Sequence, residues 1–177
     1  GRTFSQGNLA YTVLADNEVL IKTRYAPYGG TELSVPEWVV SGGVKYRVTQ
    51  IAEEGFYNSA TLTSVTLPSS ITSIDQGAFS SCLKLSTVTI GGKTSLNRYA
   101  FMNCTALKDI YVGGTVPSID SLAFYRVTAS SVTLHYASGA GTSAWTAAGF
   151  TNVDSTMLIT FPFSLGIAEA YSSKAAP

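Results

Sequence analysis

Few side chains among these 177 residues are of types that do chemistry, and their spacing limits what each can do. His135 is the single histidine, so any Ser-His-Asp or Cys-His arrangement must pass through it. It ends the run Val132-Thr133-Leu134-His135, where period-two alternation sets it opposite Val132 and Leu134 on the solvent side of a strand. The sequence has no G-x-S-x-G elbow and no long loop to bring an acid beside the imidazole, so a surface histidine is expected. Glu53 and Glu54 are sequential neighbours pointing different ways, whereas glycoside cleavage needs two carboxylates facing each other across a cleft. Gly91-Gly92-Lys93-Thr94 ends like a phosphate loop, but Thr87 stands where the first glycine is required, so a turn is expected. Asn103-Cys104-Thr105 spells a glycosylation acceptor; Asn58 holds the equivalent place without the sequon, which makes coincidence the better reading. No catalytic residue, metal or cofactor is expected, and the chain reads as a non-enzyme.

Cys82 and Cys104 are 22 residues apart, and each lies three residues after a phenylalanine. Buried free thiols, a disulfide and a reactive thiol are all open to them. A Cys-x-x-Cys metal site is excluded by two cysteines and one histidine. Ser59 and Val127 hold the equivalent places in flanking stretches, so a small buried side chain is what the position needs, and free core thiols are expected.

These spacings come from a repeat. Phe56, Phe79, Phe101 and Phe124 follow one another at 23, 22 and 23 residues. Ile51, Ile74, Leu96 and Ile119 keep step five residues ahead, and Val65, Val88 and Ile110 nine behind, with Val132 eight behind in a shortened fourth copy. A period of 20 to 29 residues carrying a strand is the mark of a leucine-rich solenoid, whose coils bury their apolar sides against one another. The segments Leu62–Leu67, Leu85–Ile90 and Leu107–Val112 alternate apolar and polar residues with β-branched enrichment, as does Ser131–His135, so four parallel strands are expected. The recurring phenylalanines then point into the stack as one buried column, each contributing about 1.5–3 kcal/mol.

The polar side of those strands is what remains for recognition. It carries Ser64 and Thr66, Thr87 and Thr89, Asp109 and Tyr111, then Ser131, Thr133 and His135. Tyr111 is the one large amphipathic side chain where other coils carry threonine, and tyrosine gives contact area at low entropic cost. The expected contact residues are Tyr111 at the centre with Thr89, Asp109, Thr133 and His135 around it. A plain solvated strand surface, with Thr and Tyr chosen for β-propensity, is the alternative.

The unit Ile71-x-x-Ile74-x-x-x-Ala78-Phe79-x-x-Cys82-x-x-Leu85-x-x-Val88-x-Ile90, with Pro68 closing the preceding strand, resembles the BspA-like leucine-rich repeats of bacterial surface proteins. The match covers roughly residues 48 to 136 and departs at Gly55, Ser59 and Val127 and in the lost leucine of the fourth copy. The resemblance implies an α/β, β-dominated solenoid of about four right-handed coils. It also implies export to the cell surface or medium and a role in adhesion, by binding a protein or a host-surface or matrix component. A Trp and Phe pair closing the last coil is implied too, here Trp145 and Phe150.

Eleven basic against eleven acidic residues, with no Lys/Arg run, argue against a nucleic-acid face. No stretch reaches 18 uninterrupted apolar residues, so no membrane insertion is expected, and a monomer is. Gly1 reads as the product of removing an upstream piece. Residues 1–47 alternate in strand fashion, with Ala15-Asp16-Asn17 as a hairpin turn, and are expected to cap the open end of the solenoid. Residues 48–136 form the coils and 137–177 a C-terminal cap and tail, with one or two helical turns over 144–148 and a further strand over 157–161. Two functions stay open: an interaction module using the strand face, or a structural spacer within a larger surface protein.

Overall fold

The computed structural model describes residues 1–136 and 141–155. The strands are β1 (Thr3–Gln6), β2 (Leu9–Val13), β3 (Glu18–Thr23), β4 (Glu32–Ser34), β5 (Trp38–Ser41), β6 (Val44–Ile51), β7 (Ser64–Leu67), β8 (Ser73–Ile74), β9 (Thr87–Ile90), β10 (Ser95–Leu96), β11 (Asp109–Val112), β12 (Thr133–Tyr136) and β13 (Asn152–Asp154). One short helix, α1 (Ser143–Ala147), precedes β13.

The coils are a β-solenoid of about four turns, with one parallel sheet running the length of the stack in the order β13-β12-β11-β9-β7-β4. Val65, Val88, Ile110 and Leu134 lie in one register row of this sheet and face the core. On the opposite flank β6, β8 and β10 pair in parallel, aligning Ile51, Ile74 and Leu96, and a single bridge carries the row to Ile119.

Between the two sheets the phenylalanine rings stack. Phe56–Phe79, Phe79–Phe101 and Phe101–Phe124 have centroids 5.5, 5.5 and 5.3 Å apart and planes within 10° of parallel. Phe56, Phe79 and Phe101 are buried, while Phe124 at the end of the column is only partly so. The backbone beside them is tied coil to coil: the amides of Phe56, Phe79 and Phe101 donate to the carbonyls of Ala78, Ala100 and Ala123, each at 2.8 Å.

Two left-handed residues turn the chain around each of the first three rings, and one follows the fourth. Glu54, Gly77 and Tyr99, two before a Phe, and Asn58, Ser81, Asn103 and Arg126, two after, have φ between +53° and +68°. Asparagine tolerates that conformation better than most residues, which accounts for Asn58 and Asn103 without invoking glycosylation. The turn at Gly91–Thr94 has its own demand for glycine. A Cβ on Gly92 would lie 2.3 Å from the Ser69 carbonyl oxygen, and Gly114 packs in turn over Gly92. At Gly92 the turns approach too closely for any side chain.

Cys82 and Cys104 are free and buried. Their thiols donate to the carbonyls of Phe56 (3.3 Å) and Phe79 (3.1 Å), and the Ser59 hydroxyl donates to the Phe56 carbonyl at 2.6 Å. The two thiols thus satisfy a buried carbonyl of the preceding coil, and the Ser59 hydroxyl one within its own.

At the N-terminal end β1, β2 and β3 form an antiparallel meander, and β3 joins β6 in parallel. Asp16 and Asn17, both left-handed, make the turn between β2 and β3. Tyr11 in this meander is 2% exposed, and burial pushes its hydroxyl pKa up to about 12. The cap and the coils interpenetrate. β4, within the segment expected to be cap, pairs with β7 as a strand of the solenoid sheet, and β6 runs across the expected boundary at residue 47. At the other end α1 places Trp145 against Phe124 (5.9 Å), with Phe150 edge-on to both (4.8 and 5.2 Å). The strand expected over 157–161 lies outside the described residues.

Candidate functional site

On the strand sheet the polar side chains fall into two rows, because every junction keeps the same register. One row runs Glu32, Ser64, Thr87, Asp109, Thr133, Asn152, and the other Ser34, Thr66, Thr89, Tyr111, His135, Asp154. All five expected contact residues are on this face. Thr89 is beside Tyr111 and Tyr111 beside His135 in one row, and Asp109 is beside Thr133 in the other.

The C-terminal part of the face is tightly organised. The Tyr111 ring stacks on the His135 imidazole at 4.4 Å with planes 8° apart. His135 Nε2 lies 2.8 Å from Asp109 Oδ1, and Nδ1 lies 3.2 Å from Asp154 Oδ2. The imidazole is thus spanned by carboxylates from the strands on either side, and its side chain is only 15% exposed, against 35% and 39% for the two aspartates. Partial burial, then the charges of Asp109 and Asp154, raise the Tyr111 hydroxyl above its ordinary range and keep it a neutral donor and acceptor. The Asn152 amide donates to the Thr133 hydroxyl at 2.9 Å, anchoring the other row to β13.

Sequence reasoning expected no acid beside His135, and this is corrected: Asp109 and Asp154 both reach it. Adjacent parallel strands bring residues 26 positions back and 19 ahead within hydrogen-bonding distance, with no long loop involved. Asp154 was missed altogether. Its signal was only the three-residue alternation Asn152-Val153-Asp154, too short to read as a strand and outside the repeat period.

The geometry does not make this constellation a hydrolase. Thr hydroxyls flank it, but both imidazole nitrogens face carboxylates, leaving neither to take a proton from a nucleophile. Among the described residues no group of three or more His, Cys, Asp or Glu could hold a metal ion, and no helix is long and apolar enough to cross a membrane.

The repeat signature of the BspA-type leucine-rich repeat region matches residues 43–144 in six copies. The chain belongs to this family. Leucine-rich solenoids of this kind are bacterial surface proteins and are generally non-enzymatic. Among solved structures, the BspA-type chain is similar to a leucine-rich cell-surface protein of Faecalibacterium prausnitzii, with 24% identity and a TM-score of 0.58 over 77% of this chain and 45% of that one. A leucine-rich repeat protein of Bacteroides capillosus shares 26% identity with a TM-score of 0.55, covering 71% of this chain and 96% of its own. One from Bacteroides ovatus, 20% identical, has a TM-score of 0.58 over 86% of this chain and 40% of its own. This BspA-type chain therefore spans less than half the length of the first and third of these proteins. No curated protein matches it.

Proposed function

We propose that this BspA-type solenoid is a non-catalytic interaction module, acting at the cell surface or outside the cell, that binds a protein or a host-surface or matrix component through its strand face. The observation that carries this reading is the Tyr111–His135 stack, held between Asp109 and Asp154. A surface aromatic chosen only for strand propensity has no need of such bracing. Here the largest side chain of the face is fixed before any partner arrives, which lowers the entropic cost of using it as an anchor. Leucine-rich repeat domains usually mediate protein interactions, in keeping with this surface.

A second reading, a spacer with no ligand of its own, draws on the N-terminal half of the face. Ser34, Ser64, Thr66, Thr87 and Thr89 are uniformly small there. Matrix-protein and glycan arrays probed with wild type, Tyr111→Ala and Thr89→Arg separate the two. Binding weakened by both substitutions is expected. Binding that both variants retain in full moves the site off this face, and no binding to any array component favours the spacer.

A further inference from the structure

The strand face is electrically one-sided, although the chain as a whole balances eleven cations against eleven anions. In its two rows the charged residues are Glu32, Asp109 and Asp154, with no lysine or arginine among them. The remaining members, His135 apart, are hydroxyls, an amide and Tyr111. His135 does not cancel this charge. A neutral imidazole has one N–H and can donate to one carboxylate only.

Resting on the strand-face reading above, we propose that this face takes an arginine-bearing segment of a partner protein. Its guanidinium seats against the Tyr111 ring and the Asp109 carboxylate. Charge complementarity selects a cation, and the local geometry selects arginine among cations. Stacking covers one face of each ring, so the π surface on offer is the other face of Tyr111, on the side of Thr89 in its row, and Asp109 stands 35% exposed two residues away. A planar guanidinium can lie on an aromatic face while its edge donates to a carboxylate, which an ammonium cannot do as well. Thr66 and Thr89, next along the Tyr111 row, supply neutral hydroxyls for the polar groups that flank such a side chain. An acidic partner would meet only like charge on this surface.

Fluorescence anisotropy with three labelled octapeptides tests this: alternating Arg and Ser, the same with Lys for Arg, and the same with Glu for Arg. The arginine peptide is expected to bind, more weakly as salt rises, with the lysine peptide several-fold weaker and the glutamate peptide not bound. Asp109→Asn and Tyr111→Ala should each weaken the arginine peptide about tenfold, whereas Glu53→Gln, an exposed acid off the face, should leave it unchanged. Thr87→Lys, beside Asp109 in its row and outside the core, should also abolish binding and covers the case in which Asp109→Asn lowers the melting temperature. The proposal is overturned if the arginine peptide does not bind, if the glutamate peptide binds equally, or if Glu53→Gln weakens binding as much as Asp109→Asn. An array partner lost in Tyr111→Ala and Thr89→Arg but indifferent to Asp109→Asn and Thr87→Lys would keep the strand face and overturn the arginine site. One indifferent to Tyr111→Ala and Thr89→Arg would overturn the strand face itself.

Discussion

Cys104 shows at the scale of one residue how the repeat converts a reactive group into a structural one. Its hydrogen bond with Cys82 and its burial push the thiol well above its ordinary range, and its proton is directed at the Phe79 carbonyl. The sign of the pH effect follows from that direction. The folded chain holds this proton where the unfolded chain releases it, so the contribution is intact below the unfolded thiol value of about 8.5 and is lost as pH rises beyond it. Because both thiols are buried, thiol titration under non-reducing conditions should find no reactive group near neutral pH and two after denaturation, whereas none after denaturation would mean a disulfide. Cys82→Ser should cost little, since a serine hydroxyl can donate to the Phe56 carbonyl as the thiol does. His135 is the opposite case. The alternation of one strand fixed which face it lies on, but its partners came from two other strands, and no local signal carried them.

At the scale of the element, each coil is held by how closely its turns pass those of its neighbours. Ser69, Gly92 and Gly114 occupy equivalent corners of successive coils, and there is no room for a Cβ at Gly92. The atom it would strike is a backbone carbonyl, which cannot swing aside as a side-chain end would. Gly92→Ala should therefore destabilise by roughly 1–3 kcal/mol, the usual cost of forcing extra volume into a packed site, read as a lower urea midpoint with unchanged slope. An unchanged midpoint would show that the corner can open. The strands were legible because alternation and β-branching repeat in register over Val65, Val88 and Ile110. β13 was not, and β4 was legible only as the short run Leu33–Val35 without its place in the solenoid sheet, since each is a three-residue strand that pairs with the edge of a neighbouring coil.

As a whole molecule the protein is close to one-dimensional: each coil touches mainly its neighbours, and the two ends need covers of different make. Phe79 is stacked on both faces, whereas the exposed end of the column, Phe124, is closed by Trp145 and Phe150. Phe79→Ala and Trp145→Ala should each cost about 3–5 kcal/mol, but with different reach. Hydrogen exchange should show protection lost across the central coils for the first, and lost first in β12 and β13 for the second, with β7 still protected. Uniform loss in both variants would contradict the quasi-linear picture. By itself the sequence determined the period, the phenylalanine column, the first three principal strands and the polar face that carries Tyr111, while in the fourth copy it set Val132 where Leu134 lies. Each of these is a local pattern repeated in register, and repetition is visible along a chain. Only the tertiary structure decided that cap and coils share both sheets, that Asp109 and Asp154 span His135, and that the imidazole braces Tyr111. The His135 contacts join residues 19 to 26 positions apart with no periodic spelling between them, so they exist only once the coils have stacked.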